Sequence, residues 1–458
     1  MKPVIALACA AGLLACGALA APGDLVWSYE TGSHVDSSPT VCDGYVYVGS
    51  WDSDLYCLDG ATGALQWSYD TGGTVLSTSP AVADGYVYIT NYGSKVCCVD
   101  AASGAPQWTY QTPTVMYSSP AVSGGYAYFG CLDDKVYCLD ASTGAFVWSY
   151  ETDNSVYSSP AVVADRVHIG SIDQKIYCLD ANTGALVWSR STGGQVHSSP
   201  TVSGGMIYVG TNANRVDCLN AATGSHGWSY VVDSEVYSPP AVSGGYAYVC
   251  TYSGWMYCMD ARTGALEWST EIGSHLQSSP AVTGDYVYLA GGFDNSLHCL
   301  DADTGAVEWS YVTGSDVQSS PAVSGGRVYF GSDDNKVYCL EAGEGDAGEW
   351  PAFRYDPQHT GALPFELDLD EGWNLVGYGY TRESFVDLAE VTVTDGSEVT
   401  TWEKAAKAGW IQDPAFYYTP GGYRELGISC PPSHSSQMEP GVGYWVLAYR
   451  AGLTLRIP

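Results

Sequence analysis

Apolar and polar positions follow one beat through most of the chain. Within residues 156–188, the runs Ala161 to Val163, Val167 to Gly170, Lys175 to Asp180 and Ala185 to Ser189 are short, rich in Val, Ile, Tyr and Trp, and bounded by Pro, Gly, Asp, Asn or Ser. Such runs, cut by turn formers, predict strands joined by tight turns. The pattern returns in eight copies. Trp27, Trp67, Trp108, Trp148, Trp188, Trp228, Trp268 and Trp309 recur at intervals of 40 or 41 residues, each followed by Ser or Thr. Pro39, Pro80, Pro120, Pro160, Pro200, Pro240, Pro280 and Pro321 keep the same interval, as do segments like YVYVGS and VYCLDA.

Four short strands per repeat cannot cover their own apolar faces, so the copies must stack around an axis. The predicted fold is all-β: an eight-bladed β-propeller of four-stranded antiparallel blades over residues 24–361, with a small β-rich domain over 365–458. The first copy opens on Leu25 to Tyr29 without a preceding VYCLDA strand, and the last runs through Val337 to Leu340 before leaving the pattern in EAGEGDAGEW. The amino-terminal strand is therefore expected to complete the eighth blade and remove its open edge. Trp350, 11 residues beyond Cys339 where the other copies use 10, competes for that place.

Composition narrows the function. The 458 residues include 17 Lys+Arg against 50 Asp+Glu, a net charge of −33 that repels polyphosphate and excludes nucleic acid as a partner. The acidity suits a salty habitat, a cationic partner or plain solubility, and solubility is favoured. Residues 1–20 carry Lys2, an apolar stretch from Val4 to Leu19, and Ala18, Leu19 and Ala20 before Ala21, which reads as a signal peptide rather than a membrane span. Leu13, Leu14, Ala15 and Cys16 resemble a lipobox, and lipidation at Cys16 is the alternative. An exported monomer, secreted or held in the cell envelope, is expected.

From Cys57 to Trp67 the chain reads CLDGATGALQW, and from Cys138 to Trp148 it reads CLDASTGAFVW. These resemble the tryptophan-docking motif AxDxxTGxxxW of the pyrroloquinoline-quinone (PQQ) type propellers, found in quinoprotein alcohol dehydrogenases and in the outer-membrane β-barrel assembly lipoprotein. Departures are Cys at the Ala position throughout, Asn220 for Asp, Ser103 for Thr, and Glu341 in a stretched eighth copy. WPAFRYDPQHTG from Trp350 is similar to a segment that flanks such propellers. The motif reads as frame: Gly63 for a positive-φ turn, Asp59 for turn amides, and Trp67, like the other seven, for docking at the seam between blades.

Cys57, Cys98, Cys138, Cys178, Cys218, Cys258, Cys299 and Cys339 share one repeat position. Sheets stack about 10 Å apart, beyond the Cα span of about 4.4–6.8 Å that a disulfide needs, so these are expected to be buried thiols. Cys42, Cys97, Cys131, Cys250 and Cys430 have no assigned pairing and no zinc-site spacing. The vicinal pair Cys97 and Cys98 resembles the vicinal disulfide that quinoprotein alcohol dehydrogenases place against the quinone. The packing reading is preferred, because Cys98 is the repeat cysteine and Cys97 replaces the Tyr of other copies.

Variation between copies points to function. The turns at Gly124 and Gly125, Gly204 and Gly205, and Gly244 and Gly245 barely change. Nine residues after the motif Trp the copies carry Asp36, Leu76, Tyr117, Tyr157, His197, Tyr237, Gln277 and Gln318. A second variable set spans Trp51 to Asp54, Asn91 to Ser94, Leu132 to Asp134, Asn212 to Asn214, Tyr252 to Trp255 and Phe293 to Asn295. In the propellers this chain resembles, both loop classes ring the central channel, which makes Asp36, Tyr117, Tyr157, His197, Tyr237, Gln277 and Gln318 the candidate binding rim. Free drift of solvent-facing loops is the bland alternative.

No HExxH, GxSxG or phosphate-binding loop occurs. His34 and His275 share a repeat position but are expected two blades apart, too far for a metal pair. No catalytic residue, metal or cofactor is assigned, since the unbroken beat offers no inserted loops for the calcium ligands, base and Arg of a quinoprotein. Beyond Gly361, the motifs Gly372 to Val376 and Gly441 to Val446 look like the GWNL to GYWV β-module of secreted bacterial proteins. Glu366, Asp368, Asp370 and Glu371 read as a strand's wet face rather than a cation site, and Arg382 to Val391 and Trp402 to Ala408 are predicted short helices. The expected function is a non-catalytic scaffold binding a protein or ligand at one face. The alternatives are a PQQ- and calcium-dependent oxidoreductase and a lipoprotein assisting outer-membrane protein assembly.

Overall fold

The computed structural model describes residues 21–342 except residue 164, and beyond them the backbone of ten strands between Phe365 and Ile457. The predicted signal peptide, Cys16, Trp350, the segment that follows it, Cys430, and Trp402 to Ala408 lie outside the described residues. Eight four-stranded antiparallel sheets account for residues 25–341. In the fourth blade the strands are Ala161–Val163, Arg166–Ser171, Lys175–Asp180 and Leu186–Ser191, each within two residues of its sequence-based bounds.

Closure uses the amino-terminal strand. Leu25–Glu30 pairs with Lys336–Glu341, and Trp27 stands opposite Cys339 as Trp148 stands opposite Cys138. Gly23 completes the imitation. Its φ of 86° lets the backbone lie flat on the Trp309 indole, where a Cβ would sit 3.1 Å from the ring, and Gly144 covers Trp108 in the same manner. The ring therefore has no blade whose indole is left uncovered by this contact.

The seams between blades are apolar and hydrogen-bonded at once. Trp27 Nε1 donates to Gly60 O at 3.0 Å, and Trp67, Trp108, Trp148, Trp188, Trp228 and Trp268 donate to the equivalent alanine carbonyl of the next blade at 2.9–3.1 Å. Beside five of the indoles a second-strand Tyr does likewise: Tyr128 Oη donates to Ala181 O, and Tyr208 Oη to Ala261 O, as do Tyr47, Tyr88 and Tyr329 to their equivalents. In the fourth blade His168 takes that Tyr position, is fully buried, and leaves Nδ1 without a partner. Asp59 Oδ1 accepts from the Ala61 and Thr62 amides, which fixes the turn before Gly63 at φ 71°.

The eight repeat cysteines are free and buried, and desolvation pushes their thiols up to about 12. Cys97 and Cys98 are likewise free and buried in the strand Lys95–Asp100, where Cys97 Sγ lies 3.7 Å from Thr71 O.

Around the axis the inner strands are tied by a circular belt. Ser38 N donates to Ser79 Oγ, Ser79 N to Ser119 Oγ, Ser119 N to Ser159 Oγ and Ser159 N to Ser199 Oγ, all at 2.9–3.0 Å. Ser279 N continues to Ser320 Oγ, and Ser320 N returns to Ser38 Oγ. The sixth blade interrupts it with Pro239, which offers neither N–H nor hydroxyl, and Ser279 Oγ is buried without a partner.

In the carboxy-terminal region the two motifs meet as adjacent strands: Gly372–Gly377 pairs antiparallel with Gly443–Ala448, placing Leu375 opposite Trp445. That pair continues through Ala415–Thr419 to Gly422–Leu426, and a second four-stranded sheet joins Phe365–Leu369, Leu453–Ile457, Thr392–Thr394 and Val399–Thr401. The helix predicted over 382–391 is corrected: Val386–Asp387 is a strand paired with Gln437–Met438, its β-branched Val satisfied by ladder pairing instead.

Candidate functional site

Each blade's outer strand returns to the axis through an extended segment in which successive side chains alternate. In the fourth blade Val156 and Ser158 are fully buried, so Tyr157 between them is turned toward the channel. The same alternation acts around the ring. Asp36, Tyr117, Tyr157 and His197, with Tyr237, Gln277 and Gln318 from the remaining blades, all line one cavity of about 210 Å³. Serines of the belt, among them Ser38, Ser159 and Ser320, line it too. The second blade differs from the sequence expectation: four residues rather than three separate Val75 from Pro80, and Ser77 lines the cavity in place of Leu76.

The second variable set reaches the same mouth. Tyr92 packs edge-on against Tyr117 with ring centroids 5.8 Å apart, Tyr252 against Tyr237 at 5.4 Å, and Trp51 Nε1 donates to Asp36 Oδ2 at 3.1 Å. These contacts make a continuous chain of rings. Tyr92, Tyr117, Tyr157, His197, Tyr237, Tyr252, His275 and Phe293 follow one another with centroids 4.3–5.8 Å apart, from the second blade to the seventh. Burial holds the His197 imidazole below its usual range, so it is neutral at pH 7.

The eighth and first blades fill the remaining sector with polar groups. Asp36 lies within hydrogen-bonding reach of Asp333, and Oδ1 of each is buried with no donor. Burial first, then the facing Asp333 carboxyl, raise Asp36 to about 9, against the weaker opposing effect of the Trp51 bond. Two carboxyls in such contact share a proton at neutral pH. Gln318 Nε2 donates to Asp333 Oδ2 at 3.3 Å, and His34, stacked on Trp51, places Nδ1 3.8 Å from the same oxygen. Asp316, raised by burial and Asp333, feels both His34 and His275.

Sequence reasoning did not single out Asp333. Its signal was present, because Asp333 aligns with Trp51, Tyr92 and Tyr252 and is the acidic member of a mostly aromatic or amide set. A quinone with calcium needs a cluster of carboxylate and amide ligands with an Arg. Among the described residues, the cavity wall supplies one carboxylate, Asp36, and no Arg, and Cys97 and Cys98 do not line it. The residues present do not fit that group.

With this geometry the chain is an eight-bladed β-propeller protein whose repeats are similar to those of the PQQ-like class. A family model of the beta-alanine-activating enzyme's beta-propeller matches residues 79–282, and that of the outer membrane protein assembly factor BamB matches residues 275–365. BamB from Moraxella catarrhalis has the same fold, with a TM-score of 0.62 and 19% identity over 70% of this chain and 99% of that one. The computationally designed Ika8 protein aligns at 0.61 and 17%, over 70% of this chain and 100% of that one. A europium-containing methanol dehydrogenase aligns at 0.57 and 15%, over 71% and 85% of the two chains. No curated protein sequence matches.

Proposed function

We propose that the chain is an exported, non-catalytic propeller scaffold that binds a protein or ligand at its channel face, in the cell envelope or outside the cell. One observation carries this reading. The belt, the indoles and the turns repeat blade after blade, while the side chains facing the cavity change identity around the ring and divide into an aromatic arc and a polar sector. A frame alone gives no reason for that division. The BamB family match over residues 275–365 supports the narrower reading of a protein partner in the envelope. Among the described residues no helix is long and apolar enough to cross a membrane.

The test is site-specific photo-crosslinking in cells producing the full chain. A photoreactive residue in place of Tyr157 should capture a partner that the same residue at Gly204, on a turn at the other end of the strands, does not. Equal capture from both positions refutes the reading. Stoichiometric retention of PQQ with calcium, together with dye reduction by alcohols or sugars, would replace it by an oxidoreductase.

A further inference from the structure

Resting on that reading of the channel face, we propose that the cavity receives one organic cation, an ammonium or guanidinium group, seated between the aromatic arc and the Asp36–Asp333 pair. The shape and chemistry of the wall carry the assignment. Tyr117, Tyr157 and Tyr237 present rings along one side of a cavity whose opposite side holds Asp36, and ring faces and carboxylates both attract positive charge. No Lys or Arg is among the residues lining it. His197, the histidine that lines the cavity, is held neutral by burial and does not oppose a cation.

The acidic pair supplies the second half of the argument. Asp36 lines the cavity, and Asp333 stands behind it within hydrogen-bonding reach, with no N–H of the frame donating to Oδ1 of either. An ammonium or guanidinium group beside Asp36 supplies the positive charge that the shared proton otherwise provides, so both carboxyls can ionise next to it. The surroundings add to this. Asp316 is a further carboxyl, His34 contacts Asp333, and Trp51 and Gln318 hold the outer oxygens of the pair. A metal ion is the weaker candidate, because no group of three or more His, Cys, Asp or Glu among the described residues could hold one. The net charge of −33 concentrates cations near the surface and speeds their arrival.

Isothermal titration calorimetry on the full-length protein tests the assignment with four probes: choline, its neutral isostere 3,3-dimethylbutanol, arginine amide, and the peptide Gly-Gly-Arg-Gly-Gly. A cationic probe should bind at least tenfold more tightly than the isostere. Asp36→Asn and Asp333→Asn should each weaken it tenfold or more without altering the circular dichroism spectrum, and Tyr157→Ala should weaken it several-fold. Binding of the free cations identifies a small-molecule head group, whereas binding of the peptide alone identifies a basic side chain of a partner. Equal affinity for the neutral isostere, no binding of any cationic probe, or unchanged affinity in Asp36→Asn would overturn the proposal. Crosslinking from position 157 that persists while all cations fail sinks only the cation assignment; loss of both sinks the channel-face reading as well.

Discussion

The serine belt offers a test in which one substitution at one repeat position gives opposite outcomes in different blades. Ser119 Oγ accepts from the buried Ser79 N–H at 2.9 Å, so Ser119→Ala leaves that amide without its acceptor and should cost about 1–3 kcal/mol. Ser279 Oγ accepts nothing, because Pro239 precedes it in the belt. Ser279→Ala removes an unsatisfied buried hydroxyl and should be neutral or slightly stabilising. Pro239→Ser closes the gap: the new hydroxyl accepts from Ser199 N–H and the new amide donates to Ser279 Oγ. Two bonds contribute about 1 kcal/mol each, offset by about 0.4–1 kcal/mol for the freer unfolded chain, leaving a gain of about 1 kcal/mol. Urea denaturation followed by tryptophan fluorescence measures all three variants, and combining Pro239→Ser with Ser279→Ala isolates the bond between the two positions. If Ser279→Ala costs as much as Ser119→Ala, or Pro239→Ser destabilises, the belt does not act as a hydrogen-bonded circle.

Three further outcomes follow from the frame. His168 is buried, and desolvation lowers it to about 3. Its folded value lies below its unfolded one, so its contribution is intact above about pH 6.5 and is lost as pH falls toward 3. His168→Tyr should reduce acid sensitivity, seen as a smaller drop in melting temperature between pH 7 and pH 4. Asp36 is raised, so the opposite sign holds: stability falls as pH rises toward about 9, and Asp36→Asn should flatten that alkaline loss in the same assay. The eight repeat thiols, protonated at neutral pH and buried, should resist DTNB in native buffer and react fully in guanidinium chloride. Fast native reaction of those thiols would show that the seams open.

The propeller was legible because its signals are local and repeated eight times. Strand length, the TG turns and the tryptophan spacing each report a contact made within one repeat or with its neighbour, as Trp148 Nε1 on Ala181 O illustrates. The cavity residues were legible for a related reason: they vary between copies at one repeat position while the frame around them does not, and the alternation of Tyr157 between buried Val156 and Ser158 is the physical cause. Two features needed coordinates. The extra residue near Leu76 shifts the inward position to Ser77, and no periodic pattern says where an extended segment will absorb an insertion. The contact of Asp36 with Asp333 joins positions nearly 300 residues apart across the closure, so it depends on the circle rather than on any one repeat.

Changed residues of the frame find new partners in some blades. On the third strand, Tyr56, Tyr137, Tyr177 and Tyr338 each donate to the Asp four residues earlier. Where the seventh blade substitutes His298, Nε2 still contacts Asp294 at 2.7 Å and Nδ1 gains Ser310 at 2.7 Å. Where the fifth substitutes Asp217, Arg215 Nε lies 2.9 Å from it and Ser229 Oγ donates to it at 2.5 Å. These two substitutions arrive with partners, whereas His168 strands Nδ1, and Asp133 and Asp334 each keep an Oδ1 without a donor. At the mouth, Asp36 stands where other blades carry Tyr, His, Gln or Ser, and Asp333 stands where they carry Trp, Tyr, Asn or an apolar residue, and each keeps an oxygen without a donor. Identical blades would have closed the circle equally well, so folding does not account for that acidic pair. An arrangement that stability does not require is the part of the molecule on which the proposed ligand would act, at the junction of the eighth blade with the first.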